Sequence, residues 1–272
     1  MTTSTTSPTA DRLAAVRAEG RAALVGYLPV GFPEPTTSIA AVRAMIDAGV
    51  DVIELGVPYS DPVMDGPVIQ AAVERALAAG VRVADTLRTV EAVADAGVPI
   101  LVMTYWNPVI RYGVDAFARD LAAAGGVGLI TPDLIPDEAG EWLEASDAHG
   151  LDRVFLVAPS STLERLALTA RASRGFVYAA STMGVTGTRA SVGSQARRLV
   201  EDTRQAGAER VCVGLGVSTP AQAAEVADYA DGVIVGSAFV RPLLDAASPR
   251  DGIAELGRVV AGLAAGVRGR GE

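Results

Sequence analysis

Short β-branched runs alternate along the chain with longer Ala-rich stretches in which apolar residues recur at helical spacing. This alternation is typical of repeated βα units that build a parallel sheet. Eight units can be counted. The apolar runs predict strands at Ala22–Val25, Asp51–Leu55, Ile100–Thr104, Val127–Thr131, Arg153–Val157, Phe176–Ala179, Arg210–Gly214 and Gly232–Gly236.

The stretches between the strands carry recognisable helix boundaries. Gly49 stands where a C-terminal cap is expected, and Thr219-Pro220 reads as a cap followed by proline at the first helical position. A helix is also predicted near Ala10–Glu19, before the first strand. The fold class is therefore α/β: a single (β/α)₈ (TIM) barrel with an extra N-terminal helix and additional helices at the second and eighth units. A doubly wound open sheet is the alternative, but no G-x-G-x-x-G follows the first strand.

The chain has no long linker or low-complexity break, so we expect one domain over residues 10–268 after a disordered leader over residues 1–9. The leader is rich in Thr and Ser and lacks the basic and apolar regions of a signal peptide. Every apolar run falls short of the roughly 18 residues that span a bilayer. These features predict a cytoplasmic protein.

Composition excludes several classes of function. The net charge of −9 argues against nucleic acid or an anionic membrane as partner, because both require a basic face. All 23 basic residues are arginine, which excludes a Schiff-base lysine and a P-loop lysine. The single histidine, His149, is expected at a helix end, and the lone Cys212 is expected to be buried. No cluster of residues has metal-ligand spacing.

Glu54 is the first candidate for chemistry, because it lies near the end of the otherwise apolar second strand. Reacting groups in such barrels sit at the carboxyl ends of the strands. Alternation places its side chain on the same face as Val52. Burial would raise the pKa of the carboxyl group, which suits a group that gives and then takes a proton near neutral pH. The alternative is a structural acid held by a backbone amide or an arginine.

Asp65 is the second candidate and lies in the loop Gly56–Pro67, which is long for a βα connection. Long ordered loops on a barrel are usually functional. The loop could fold back over the strand end and place two carboxylates around one substrate. The alternative interpretation of Asp65 is turn or helix-cap chemistry before Pro67.

Glycine-rich turns follow the sixth, seventh and eighth strands, at Gly184–Gly187, Gly214–Gly216 and Gly236-Ser237. Free backbone N–H groups in such turns, together with the start of a short helix near Ser237, are typical of a phosphate site. The alternative is that these segments are only tight turns.

From about Gly20 to Asp245 the chain resembles the tryptophan synthase α subunits. The resemblance rests on Glu-Leu-Gly-Val-Pro-Tyr-Ser-Asp-Pro from Glu54 and the following Asp-Gly-Pro, on Tyr-Trp-Asn-Pro at 105–108, on Pro-Asp-Leu-Ile-Pro at 132–136, on Gly-Val-Thr-Gly at 184–187 and on Val-Gly-Ser at 235–237. One departure is Thr182, where some members carry an arginine, so this loop residue contributes no positive charge.

The resemblance implies a lyase of tryptophan biosynthesis that splits indole-3-glycerol phosphate into indole and glyceraldehyde 3-phosphate, with Glu54 and Asp65 as its catalytic residues. The implied substrate-binding residues are Tyr27, Met103, Leu156, Tyr178, Thr186, Leu215 and Ile234, with Thr186 orienting Asp65. The implied phosphate-binding residues are Gly187, Gly216, Gly236 and Ser237.

The resemblance also implies a partner, a tryptophan synthase β subunit, in an α₂β₂ heterotetramer. Pyridoxal phosphate is expected only in that subunit, and no cofactor in this chain. The implied interface residues are Pro58, Asp61, Asn107, Asp133 and Pro136. Two alternatives stay open: a stand-alone lyase that releases indole, and an idle barrel that only activates the β subunit. A sugar-phosphate isomerase is disfavoured because it would normally use a lysine or histidine base.

Overall fold

The computed structural model describes residues 7–180, 189–214 and 216–269, with the helical backbone alone for residues 189–192. Eight parallel strands close into a barrel in chain order. They are β1 Ala23–Pro29, β2 Val52–Gly56, β3 Ile100–Met103, β4 Gly128–Thr131, β5 Asp152–Val157, β6 Val177–Ala180, β7 Val211–Gly214 and β8 Gly232–Val235. The predicted barrel is confirmed, and each predicted strand overlaps an observed one.

Helices in the described residues surround the barrel. They are α1 Pro8–Ala18, α2 Pro35–Asp47, α3 Pro67–Ala78, α4 Val83–Val93, α5 Trp106–Tyr112, α6 Val114–Ala123, α7 Gly140–Ala148, α8 Leu163–Ala172, α9 Arg189–Gln205, α10 Pro220–Ala227, α11 Ser237–Asp245 and α12 Pro249–Val267. The additional helices predicted in the second and eighth units are α3 with α4 and α11 with α12. The third unit also has two helices, α5 and α6, which the sequence pattern did not predict.

Two predicted helix boundaries can be checked directly. Thr219 caps α10, and its Oγ1 accepts a hydrogen bond from the backbone N of Gln222 at 3.3 Å. Gly49 follows α2 with a φ of +108°, a conformation that favours glycine. Both residues act as the local sequence predicts.

Alternating side chains of the strands point into the barrel and form a closed apolar layer. The inward residues are Val25, Val52, Leu101, Ile130, Val154, Phe176, Cys212 and Ile234. The outward residues pack against the helices in a second, larger cluster. Each fully buried Val, Leu or Ile side chain contributes about 1.5–3 kcal/mol. Burial on both faces explains why the strands read as continuous apolar runs.

Helix α1 closes the amino-terminal end of the barrel. Its Leu13 and Val16 side chains join the inward-facing cluster. The helix begins at Pro8, capped by the Ser7 hydroxyl, which accepts a hydrogen bond from Ala10 N at 3.1 Å. Pro8 and Thr9 therefore belong to the helix and not to the predicted leader, whose first six residues lie outside the described part. Because α1 covers this end of the barrel, a substrate site is expected at the carboxyl ends of the strands.

Three further properties can be compared with the sequence. Cys212 is buried, as predicted. His149 is the C-cap of α7, and its Nε2 lies 3.0 Å from an Asp115 carboxyl oxygen. In the described part of the chain, no helix combines the length and the apolar character needed to cross a membrane.

Candidate active site

A cavity of about 310 Å³ opens at the carboxyl ends of the strands. Ten of the predicted site residues line it: Tyr27, Glu54, Asp65, Met103, Leu156, Tyr178, Gly216, Ile234, Gly236 and Ser237. Five further residues line it: Gly214, which belongs to one of the predicted glycine-rich turns, and Met64, Gly66, Ile69 and Ala180, for which no role was predicted. The predicted Thr186, Gly187 and Leu215 lie outside the described residues.

Glu54 is the most unusual group in this cavity. Its side chain is 0% exposed, and neither carboxyl oxygen has a hydrogen-bond partner among the described residues. Strand pairing places it beside Tyr27 on one side and Leu101 on the other. Burial raises the pKa of Glu54 to about 8. The alternative interpretation, a structural acid held by a backbone amide or an arginine, finds no such partner among the described residues, and the carboxyl group holds a proton at neutral pH.

Asp65 enters the same cavity from the loop between β2 and α3. The Tyr105 hydroxyl donates a hydrogen bond to Asp65 Oδ1 at 3.3 Å. The Gln70 side-chain amide donates to the Asp65 carbonyl oxygen at 2.7 Å, at the start of α3. Burial raises the pKa of Asp65 above its ordinary value, and the hydrogen bond from Tyr105 opposes that rise. The loop therefore folds back over the strand end and brings the two carboxyl groups together.

Two tyrosines form the aromatic walls of the cavity. Burial raises the pKa of Tyr27, and the charges of Asp65 and Glu54 raise it further. Burial and the charge of Glu54 raise the pKa of Tyr178 in the same way. Both phenols therefore stay protonated over the working range of pH, and each presents an apolar ring with a hydroxyl donor close to the carboxyl groups.

The rim of the cavity at β7 and β8 has the features of an anion site. Gly236 is the N-cap of α11, and Ser237 is the first residue of that helix. Gly216, in the loop after β7, has a φ of +67°. Backbone N–H groups at a helix N-terminus attract an anion without a positively charged side chain. This rim therefore suits a phosphate group, although its third predicted loop, at 184–187, is not described.

The residues predicted to contact a partner lie on the same end of the barrel, on the segments that follow three strands: Pro58 and Asp61 between β2 and α3, Asn107 in the first turn of α5, and Asp133 and Pro136 between β4 and α7. Asp61, Asn107 and Asp133 are exposed, whereas Pro58 is buried within the chain. Asp133 also has a role inside the chain, because both carboxyl oxygens accept a hydrogen bond from Trp106 N, at 2.9 and 3.1 Å.

Sequence reasoning missed the large apolar side chains that are exposed close to these residues in the chain. They are Val63, 80% exposed, Ile110, 55% exposed, and Ile135, 43% exposed. The sequence could have shown them as apolar residues that stand within a polar loop or near the end of a short helix. All three lie on segments that follow the carboxyl ends of neighbouring strands β2, β3 and β4.

Comparison with known proteins gives one family. A sequence profile described as "Tryptophan synthase alpha chain" matches residues 13–267. The tryptophan synthase alpha chain of Thermobifida fusca is 64% identical over 260 residues, which are 94% of this chain and 96% of that one. The corresponding protein of Salinispora arenicola is 66% identical over 252 residues, covering 93% and 94% of the two chains.

Solved structures agree. A chain of Mycobacterium tuberculosis tryptophan synthase superposes with a TM-score of 0.89 at 60% identity, covering 96% of this chain and 98% of that one. Tryptophan synthase subunit alpha from Legionella pneumophila gives a TM-score of 0.87 at 31% identity, covering 96% and 98%. The profile match over residues 13–267 and these relatives agree with the barrel fold, and the chain belongs to the tryptophan synthase alpha chain family.

Proposed function

We propose that Glu54 and Asp65 carry out, in this chain, the reaction of its family: cleavage of indole-3-glycerol phosphate to indole and glyceraldehyde 3-phosphate in tryptophan biosynthesis. The observation that carries the proposal is the Glu54 carboxyl group, which is fully buried, unpartnered among the described residues and has a pKa of about 8. Such a group can act as an acid and then as a base at neutral pH.

The cleavage is a retro-aldol reaction in which the substrate supplies its own electron sink. Protonated Glu54 gives its proton to C3 of the indole ring, which converts the ring to an iminium-like cation. The Glu54 carboxylate then takes the proton of the hydroxyl group on the carbon attached to C3. As that C–O bond becomes a carbonyl, the electrons of the C–C bond flow into the ring, and indole leaves. Glu54 ends with its proton restored, so no Schiff-base lysine is required.

Asp65 has a different role, as the acceptor of a hydrogen bond from the indole N–H. A carboxylate in this place stabilises the positive charge that the ring acquires when C3 is protonated. Because the charge exists only after protonation, the contact strengthens towards the transition state. Thr186, outside the described residues, is proposed to orient Asp65.

The remaining cavity residues divide between the two ends of the substrate. The indole ring is proposed to lie among Tyr27, Met103, Leu156, Tyr178, Leu215 and Ile234. The phosphate group is proposed to bind the backbone N–H groups of Gly187, Gly216, Gly236 and Ser237. This chain is proposed to need no cofactor for the step, because both proton transfers use the Glu54 carboxyl group.

A tryptophan synthase β subunit is the proposed partner, in an α₂β₂ assembly within the cytoplasm. Indole is apolar and diffuses away unless it is passed on, and pyridoxal phosphate in the partner would carry its next reaction. The exposed side chains Val63, Ile110 and Ile135 support an interface around Asp61, Asn107, Asp133 and Pro136. Pro58 is proposed to shape its loop from within, because it is buried.

The deciding experiment measures indole release from indole-3-glycerol phosphate while purified β subunit is titrated in. The variants are Glu54→Gln and, as a matched control, Glu91→Gln on the exposed face of α4. Glu54→Gln should lower turnover by about 10²–10⁴-fold while calorimetry still detects substrate binding. Retained turnover would exclude Glu54 as the proton carrier. Fast release that the partner leaves unchanged would instead indicate a stand-alone lyase, and no release under any condition would indicate an idle barrel.

A further inference from the structure

The hydroxyl group of Tyr105 joins two neighbouring loops at the mouth of the cavity. Its oxygen accepts hydrogen bonds from the backbone N of Val63 at 3.0 Å and of Met64 at 2.9 Å. Its proton is donated to Asp65 Oδ1 at 3.3 Å. A phenol hydroxyl has one proton and two acceptor positions, so these three contacts use its full capacity.

Tyr105 is itself held firmly. It is 6% exposed and is the last residue before α5. The next residue, Trp106, donates its backbone N–H to both carboxyl oxygens of Asp133, in the loop after β4. The Tyr105 ring also lies 5.1 Å from the ring of Tyr59, at an interplanar angle of 31°. Tyr59 and residues 63–65 of the loop after β2 therefore contact the Tyr105 side chain. The position of Tyr105 is in turn set by the segments that follow β3 and β4.

We propose that Tyr105 is a positioning residue for the cleavage reaction: its hydroxyl group fixes the loop that carries Asp65 and sets the orientation of the Asp65 carboxylate towards the indole N–H. This assignment rests on the proposed function, because it acts through the role given to Asp65. With Oδ1 bound to Tyr105, the other carboxyl oxygen of Asp65 is left to accept the indole N–H in the proposed complex. Fixing a catalytic group before substrate arrives removes an entropic cost from the reaction.

The same contact controls the charge of Asp65. Burial disfavours the carboxylate and raises the pKa of Asp65, whereas the hydrogen bond from Tyr105 favours the carboxylate and lowers it. Loss of the hydroxyl group therefore has a second consequence besides a looser loop. The pKa of Asp65 rises, so the carboxylate is lost at a higher pH than in the unaltered protein.

The test compares Tyr105→Phe with Tyr112→Phe and Asp65→Asn. Tyr112 lies at the other end of α5, and its hydroxyl group donates to Asp120 at 2.7 Å. The control therefore removes one tyrosine hydroxyl at the far end of the helix that Tyr105 precedes, away from the residues that line the cavity. Indole release is measured with the β subunit present, as kcat and KM, from about pH 5 to about pH 9. Circular dichroism and thermal unfolding confirm that each variant is folded.

Tyr105→Phe should lower kcat about tenfold at neutral pH, with a smaller change in KM, because a lost hydrogen bond is worth about one factor of ten. Its acid limb in kcat/KM should move to higher pH, a change that a merely structural role would not cause. Tyr112→Phe should match the unaltered protein in both respects. An acid limb that stays in place in Tyr105→Phe overturns the assignment of Tyr105 alone. Full activity of Asp65→Asn overturns the proposed function of Asp65 as well.

Discussion

The Tyr27 side chain occupies the space that a side chain at Gly56 would need. A Cβ atom at position 56 would lie 2.2 Å from the Tyr27 hydroxyl oxygen and 2.6 Å from two ring carbons. The same relationship recurs across the barrel, where a Cβ at Gly214 would lie 2.4 Å from the Tyr178 hydroxyl oxygen. In both pairs a glycine ends one strand and a tyrosine of the preceding strand lies across it, so both rings reach into the cavity.

Gly56→Ala should therefore damage the site without changing a catalytic group. The new methyl group cannot coexist with the Tyr27 ring, so the ring must move. We expect a loss of about 10²-fold in kcat/KM, because a displacement of about 1 Å in a site has such effects, and a destabilisation of about 1–3 kcal/mol from overpacking. Indole release and urea unfolding measure the two effects. Gly140→Ala is the control, because a Cβ there has no atom within 4 Å. Wild-type kinetics for Gly56→Ala would show that the cavity does not depend on this contact.

The rate of cleavage should depend on pH through Glu54. The first step requires the protonated carboxyl group, and its pKa is raised to about 8 by burial. Since kcat/KM reports the free enzyme, it should be level near neutral pH and fall about tenfold per unit above about pH 8. At low pH the rate should fall as the Asp65 carboxylate takes up a proton. Because burial raises the pKa of Asp65, this fall should begin at a higher pH than for an ordinary aspartate. A rate that stays level well above pH 8 would contradict the role of Glu54 as the proton donor.

Glu54 should also lower the stability of the protein at alkaline pH. Its pKa rises from 4.5 to about 8 on folding, so between these values the folded state holds a proton that the unfolded state has released. The free energy of unfolding of the unaltered protein should therefore fall by up to about 1.4 kcal/mol per pH unit over this window. Glu54→Gln cannot ionise and should lack this slope.

The two proteins should accordingly be about equally stable near pH 5, and the variant should be more stable by about 3–5 kcal/mol near pH 8.5. Urea unfolding at a series of pH values measures the difference, and Glu91→Gln should follow the unaltered protein. Parallel curves for Glu54→Gln and the unaltered protein would mean that the Glu54 carboxyl group has an ordinary pKa. An inactive variant of higher stability is expected when a buried group is retained for chemistry.

Several parts of the fold and site could be predicted from the sequence because each has a local cause. The eight strands read as apolar runs because both of their faces are buried. Glu54 was found because one acid interrupts such a run at the end where barrels place their chemistry. Thr219 and Gly49 were found because caps and positive φ values demand particular residue types.

Other parts could not be predicted because they depend on contacts between residues that are far apart in the chain. Met64 and Ile69 line the cavity, but although the sequence suggested that the loop after β2 folds back, no periodicity in the loop shows which of its neighbouring side chains then face inward. Tyr105 contacts Asp65 across 40 positions of the chain. Helix α5 has 7 residues, too few for helical periodicity to stand out. A signal did exist for Gly56 and Gly214, because glycine at a strand end often marks a close approach.

The opposite end of the barrel should control stability and leave the chemistry alone. Asp51, just before β2, is 1% exposed and accepts hydrogen bonds from Arg21 at 2.7 and 3.0 Å, from Arg12 at 2.7 Å and from Leu24 N at 3.0 Å. Burial raises the pKa of Asp51, but these contacts outweigh it and hold the pKa below its ordinary value. The carboxylate therefore links α1 to the base of β1 and β2.

Asp51→Asn should lower the free energy of unfolding by about 2–3 kcal/mol, because it leaves the buried Arg21 guanidinium with only the more exposed Glu19 carboxylate, at 2.7 Å, as its anion. A carboxyl group whose pKa is lowered on folding stabilises the folded state at pH values above its ordinary pKa, and this stabilisation is lost as the pH falls. The difference in stability between Asp51→Asn and the unaltered protein should therefore be full at neutral pH and shrink below about pH 4. Asp245→Asn is the control, because Asp245 is 63% exposed and lies 4.0 Å from Arg241, and it should unfold like the unaltered protein.

At temperatures where both stay folded, kcat and KM of Asp51→Asn should equal those of the unaltered protein, since Glu54 and Asp65 act at the other end of the barrel. A fall in kcat in a fully folded Asp51→Asn protein would show that the two ends of the barrel are coupled.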